Sequence, residues 1–203
     1  MPVVRLLAKL AVFSALVVSL AGCETMGMNL FGGNDAPPPA PSARALDYKA
    51  DDLTSVIFAV DLPPGVKPVP NGTTASIDLS GSKGDKHFKG TLTLADNGDA
   101  VSSALPAPES GHTYVLFGFS PKDKAALGAL QKWAKTLPDG EAPVASVEVS
   151  PKVCEDSSSI DPSIDTYAVL AALPGTALLP VVSASPIARL SSAPTGQLNP
   201  CGK

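Results

Sequence analysis

Two histidines, three cysteines, a run of carboxylates and a short lysine cluster are the side chains of this 203-residue chain with reactive chemistry to offer. Neither His87 nor His112 stands in a metal-ligand spacing such as HExxH, which stacks two imidazoles on one helix face. His87 falls on the polar side of an alternating segment beside Lys86 and Lys89, and His112 follows Gly111 at the start of another, so both read as surface histidines. Zinc would need carboxylates converging from elsewhere in the chain. Glu155, Asp156, Asp161 and Asp165 supply the oxygen density that calcium uses, but not the EF-hand order with its central glycine and final glutamate. They read as a solvated loop. Lys83, Lys86 and Lys89 would suit anionic headgroups or acidic glycans; with Asp85 among them they read as a solvated hairpin. The residue types therefore assign no catalytic group, no cofactor and no metal.

The remaining reactive residue is Cys23, and its setting is specific. Arg5 and Lys9 precede twelve uncharged residues, Leu10 to Ala21. That run is shorter than the ~20 residues a membrane-crossing helix requires and matches the core of a secretory signal. It closes on Leu20-Ala21-Gly22-Cys23, which resembles the lipobox of bacterial lipoproteins. The resemblance implies a diacylglyceryl thioether on Cys23, cleavage between Gly22 and Cys23, and acylation of the new amino group. Several buried acyl chains make a durable anchor where one does not. In the same class an aspartate after the cysteine retains the protein at the inner membrane. Glu24 stands there instead, which places the expected address at the outer membrane, facing the periplasm.

With Cys23 given to lipid, Cys154 and Cys201 remain as a pair for an oxidising compartment. Their bond would close a loop worth roughly 4 kcal/mol in the chain-entropy treatment. Ser80-Gly81-Ser82-Lys83 matches the SxxK pattern of penicillin-binding proteins and β-lactamases. That chemistry needs the serine at a helix start with the lysine one turn on. Here the pattern lies in a Gly-rich loop, and the companion SDN and KTG motifs are missing. No GxSxG, GxGxxG or P-loop occurs either.

The chain after the signal segment must position these residues. Residues 23–44 form a Gly- and Pro-rich tether that includes Pro37-Pro38-Pro39-Ala40-Pro41, with a span of roughly 25 Å and a ceiling of ~70 Å. Residues 45–203 read as a single globular domain of α+β class, mainly antiparallel β-sheet or a small sandwich with one principal helix at about 121–137. Thr54–Val60 and Tyr114–Phe119 are apolar on both faces, as central strands are. Ala75, Ile77 and Leu79 alternate with polar residues, and Phe88, Gly90, Leu92 and Leu94 do the same. Asp96-Asn97-Gly98-Asp99 signals a hairpin into a strand at Ala100–Leu105. Ser120 and Pro121 open the helix, whose stripe is Leu127, Leu130, Ala134 and Leu137, with Trp133 at the core edge. Val144–Val149 would return as a strand in a right-handed parallel crossover. Thr166–Ala172 and Leu178–Val182 follow as strands, with a helical turn near Pro186–Leu190.

Without the signal segment the chain holds 13 basic and 19 acidic residues, a balance that offers no cationic field for nucleic acid. The expected function is a membrane-anchored envelope lipoprotein whose domain binds or scaffolds an envelope protein or cell-wall partner without catalysis. An envelope enzyme on cell-wall or lipid substrates is the rival, with His87 or His112 taking part. A glycan- or small-molecule-binding module, with aromatics near Tyr114 and Phe117, is the third reading.

Overall fold

The computed structural model describes residues 42–95, 99–156 and 160–202. The elements run β1 (Ile57–Leu62), β2 (Val66–Pro68), β3 (Thr74–Gly81), β4 (Gly84–Leu94), α1 (Asp99–Ser102), β5 (Thr113–Phe119), α2 (Pro121–Ala134), β6 (Val144–Ser150), β7 (Val153–Glu155), β8 (Thr166–Leu173), β9 (Thr176–Ala177) and β10 (Val182–Pro186). One curled antiparallel sheet takes the order β10-β8-β1-β5-β4-β3-β6, with β9 folded back on β8 and the small β2–β7 pair apart. The α+β class with one principal helix is the observed one.

β1 is buried along its whole length between β5 and β8. Its double apolar face leaves no side for water, hence its central place. Phe58, Val60 and Leu62 point into the main core with Phe117, Phe119, Val169 and Ile77. The opposite face carries a smaller core of Ile57, Val101, Ala104 and Ala172. Strand β4 supplies the bend of the sheet. Its first eight residues pair with β3, and Leu92–Leu94 pair with β5.

Helix α2 lies on the main-core face through Leu127, Leu130 and Ala134. Ser120 caps it, accepting from the Asp123 N–H at 3.2 Å. Its close approach to β4 depends on Gly90, where an added Cβ would sit 2.6 Å from the Phe88 ring and 3.1 Å from the Asp123 carboxyl.

Five expectations on the strands are corrected. Of Leu178–Val182, only Val182 belongs to a strand, β10, while Leu178 makes a single bridge to Arg44. Residues 53–55 form a 3₁₀ turn capped by Asp52, so β1 starts later than the alternation implies. The expected hairpin strand at 100–105 is instead α1 and a turn (residues 96–98 lie outside the described segments). Val101, Ala104 and Leu105 recur at helical spacing, and as a helical turn they cover the second face of β1. Leu94 is 56% exposed rather than aligned with Phe88. Finally, β6 does not form a parallel crossover with β5. It joins the far edge, antiparallel to β3 over Thr74–Ser80.

Cys154 and Cys201 are disulfide-bonded, with Cα atoms 4.9 Å apart. The bond lies where Glu155 exchanges backbone hydrogen bonds with Asn199 and Cys201, each 2.8 Å long. Among the described residues, no helix is long and apolar enough to cross a membrane.

Candidate functional site

The curl of the sheet brings its ends toward each other without closing, and the gap holds an open cavity of about 300 Å³. Its floor is Phe58, Ile77, Phe119 and Ala171, contributed by β1, β3, β5 and β8. One wall is Ala145 and Val147 of edge strand β6. The other is the extended run Leu178-Leu179-Pro180-Val181. Ala45, Leu46 and Tyr48 complete the rim, so the chain enters the domain at the mouth of the cavity. No residue lining the cavity carries a charge. Burial raises the Tyr48 hydroxyl to about 12, so it stays protonated. Leu179, in the cavity wall, is 54% exposed.

The rim is fixed by polar contacts outside the cavity. The Arg44 N–H donates to the Ala177 carbonyl at 3.2 Å, and the Leu179 N–H donates to the Arg44 carbonyl at 2.9 Å. The Arg44 guanidinium makes two 2.7 Å bonds to Asp51. Those bonds hold the Asp51 carboxyl below its ordinary range and raise the guanidinium.

A second constellation lies on the opposite face of β1. Asp61 and His112 are both about nine-tenths buried, with Oδ1 and Nδ1 3.4 Å apart. Neither of those two atoms makes a hydrogen bond. Asp61 Oδ2 accepts from the Glu109 N–H at 3.1 Å. The Glu109 carboxylate, 3.9 Å from His112 Nε2, accepts from the Thr166 hydroxyl at 3.0 Å. Burial, then the Asp61 charge, raises the Tyr114 phenol. Among the described residues the imidazole meets the Asp61 and Glu109 carboxylates, and the Asp61 bond to the Glu109 N–H anchors the 106–112 loop on the strand ends.

The residues singled out from the sequence fare differently. His112 is buried against a carboxylate and is no surface histidine. His87 is one: it pairs with Asp78 across the β3–β4 ladder at 2.6 Å with both side chains more than half exposed. The lysine cluster is split, since strand alternation puts Lys86 and Lys89 on opposite faces of β4 while Lys83 caps the Thr136 carbonyl after α2. Ser82 gives its hydroxyl to Glu141 at 2.6 Å, so the SxxK pattern forms a turn in which lysine and serine have separate partners. Asp156 pairs with Lys67, while Asp161 and Asp165 cap their own turn. Tyr114 and Phe117 occupy opposite faces of β5 and share no cleft. Trp133 packs at the core edge, as its position beside the helix stripe implies. Cys23 and Gly22 lie outside the described residues.

Sequence reasoning misses the cavity because its walls are far apart in the chain. The available signal is an apolar excess with no obvious burial partner: Ala145 and Val147 on one face of an edge strand, and the uninterrupted Leu178–Val182. Comparisons with protein-family models, curated proteins and solved structures find no match for this chain.

Proposed function

We propose that this is a lipid-anchored protein of a bacterial envelope whose domain binds another envelope component through the apolar cavity. In this reading residues 1–22 are a lipoprotein signal peptide cut between Gly22 and Cys23. Cys23 carries the lipid, residues 23–44 are the tether, and residues 45–203 face the periplasm from the outer membrane. The observation that supports a binding role is the uncharged cavity of about 300 Å³ at the point where the tether enters. A soluble domain keeps so concave an apolar surface open when something occupies it.

Two experiments test the two halves. Metabolic palmitate labelling should mark the wild-type chain and not Cys23→Ser; label persisting on that variant refutes the anchor. A photocrosslinker placed at Leu179 in intact cells should capture a membrane or cell-wall component. Recovery of nothing from either fraction, with the crosslinker shown to be reactive, counts against the binding role.

One observation favours the enzyme reading, the buried approach of Asp61 to His112. The two readings part at His112→Gln. If the cavity is the functional surface, that variant captures the same component as wild type at Leu179.

A further inference from the structure

We infer that the cavity takes one acyl chain of a separate single-chain lipid, a fatty acid or lysophospholipid, and leaves the headgroup in water at the mouth. The inference rests on the binding role proposed above and specifies the ligand.

The lining dictates the chemistry of the buried group. Phe58, Ile77, Phe119, Val147, Ala171 and Leu178 offer carbon contacts and no charge. Away from the Tyr48 hydroxyl, a buried ligand group that required hydrogen bonds would lose them here, at a cost far above what such contacts return. A saturated chain has no hydrogen bonds to lose on entry. The walls also match a chain better than a flat ring system. Ala45, Ala145 and Pro180 are short and leave a slot between an extended strand and an extended loop. The volume sets the length. At roughly the 30 Å³ that a water molecule occupies in the liquid, about 300 Å³ holds on the order of ten methylenes.

Location identifies the source. The tether joins the domain at Ala45 and Leu46, on the rim itself. Twenty-one residues, Glu24 to Arg44, separate Ala45 from Cys23, which coil statistics convert to a span of roughly 25 Å. An anchor on Cys23 would therefore keep the mouth within a few tens of ångströms of a bilayer. Leu179, a lining residue that is 54% exposed, extends the apolar path outward for the part of the chain that the cavity does not hold. The protein's own acyl chains are better satisfied in the bilayer that holds them, so the ligand is a separate molecule.

The test uses the full chain carrying Cys23→Ser, which has no lipid of its own. Dansylaminoundecanoic acid, kept below its micelle concentration, is titrated and then displaced by saturated fatty acids of six to sixteen carbons. Binding should saturate. Displacement should tighten about fourfold per added methylene and level off once the cavity is full, on the order of ten carbons. Ala145→Trp fills the slot from an exposed position, and Leu179→Arg puts a charge on the opposite rim. Each should weaken displacement at least tenfold while the thermal midpoint stays close to that of the parent.

Non-saturating fluorescence, displacement indifferent to chain length, or variants that bind as the parent does would each overturn the acyl-chain site. The anchor is read separately. Palmitate label missing from the wild-type chain with normal displacement by Cys23→Ser removes the anchor and keeps the site. Label present with no displacement does the reverse.

Discussion

Asp51 shows how single side chains set the rim of the cavity. Its carboxylate accepts from the two terminal Arg44 guanidinium nitrogens at 2.7 Å and from the Asp47 N–H at 2.8 Å. The Arg44 bond is the largest reason its proton affinity falls. A depressed carboxyl stabilises the fold above its unfolded value, near ~3.9, and that contribution disappears as pH drops through the lower folded value. Asp51→Asn should therefore lower the urea midpoint at pH 7 and narrow the difference between pH 7 and pH 3. A difference as wide as wild type would contradict the assignment. Asp61 makes a second prediction. Asp61→Val leaves the Glu109 N–H without its acceptor and should cost about 1–3 kcal/mol in urea unfolding, whereas Asp61→Asn keeps an acceptor and costs less. Little of this is legible in the sequence. His112, after Gly111 at the start of a strand, reads as a surface histidine; the backbone turns at Gly111 (φ +84°) and the imidazole packs beside Asp61.

At the scale of elements, α2 and β4 act as one unit through Asp123. Its Oδ2 accepts from the Thr91 N–H at 3.0 Å and the Ser120 hydroxyl at 2.7 Å. Ser120→Ala removes a cap and should cost about 1 kcal/mol. Asp123→Ala also orphans Thr91 and should cost more. The double variant should cost less than the sum, since both members share one network. Additive urea midpoints would mean that the helix and strand are held independently. These elements are the readable ones. Ser120-Pro121, the stripe from Leu127 and the alternation of β3 all follow from local periodicity, and each is observed. The element ends and the pairing are harder. The stripe continues to Leu137, yet α2 stops at Ala134 and Leu137 is buried from the following turn. Periodicity can identify β6 but not its partner, because a strand after a helix fits a parallel crossover and an antiparallel edge equally well. The edge wins because β3 offers an unpaired ladder beside β4, and Val149 and Val147 then reach the same core as Ile77.

The described domain separates into a cavity end and a stapled end. The cavity uses β1, β3, β5, β6 and β8, while the disulfide ties β7 to the chain after Leu198, which is itself a core residue. The pairing of Cys154 with Cys201 is legible by elimination, because the expectation that Cys23 is given to lipid leaves only these two. The cavity is not, since it exists only where the curled sheet fails to close, and no local pattern records that gap. The separation predicts two independent responses to reduction. Opening a 47-residue loop releases denatured-state entropy worth roughly 4 kcal/mol. In a domain of this size that corresponds to a fall in Tm of about 10 °C. Cys154→Ser with Cys201→Ser should show this fall in calorimetry, and dithiothreitol should reproduce it in the wild-type chain but not in the double variant. Below the lowered Tm, fatty-acid displacement should be unchanged, because none of the residues lining the cavity belongs to β2, β7 or the 198–202 segment. A Tm indifferent to reduction would show that the core around Leu198 holds the C-terminus without help. Loss of fatty-acid binding in the folded double variant would show that the two ends are coupled through the sheet.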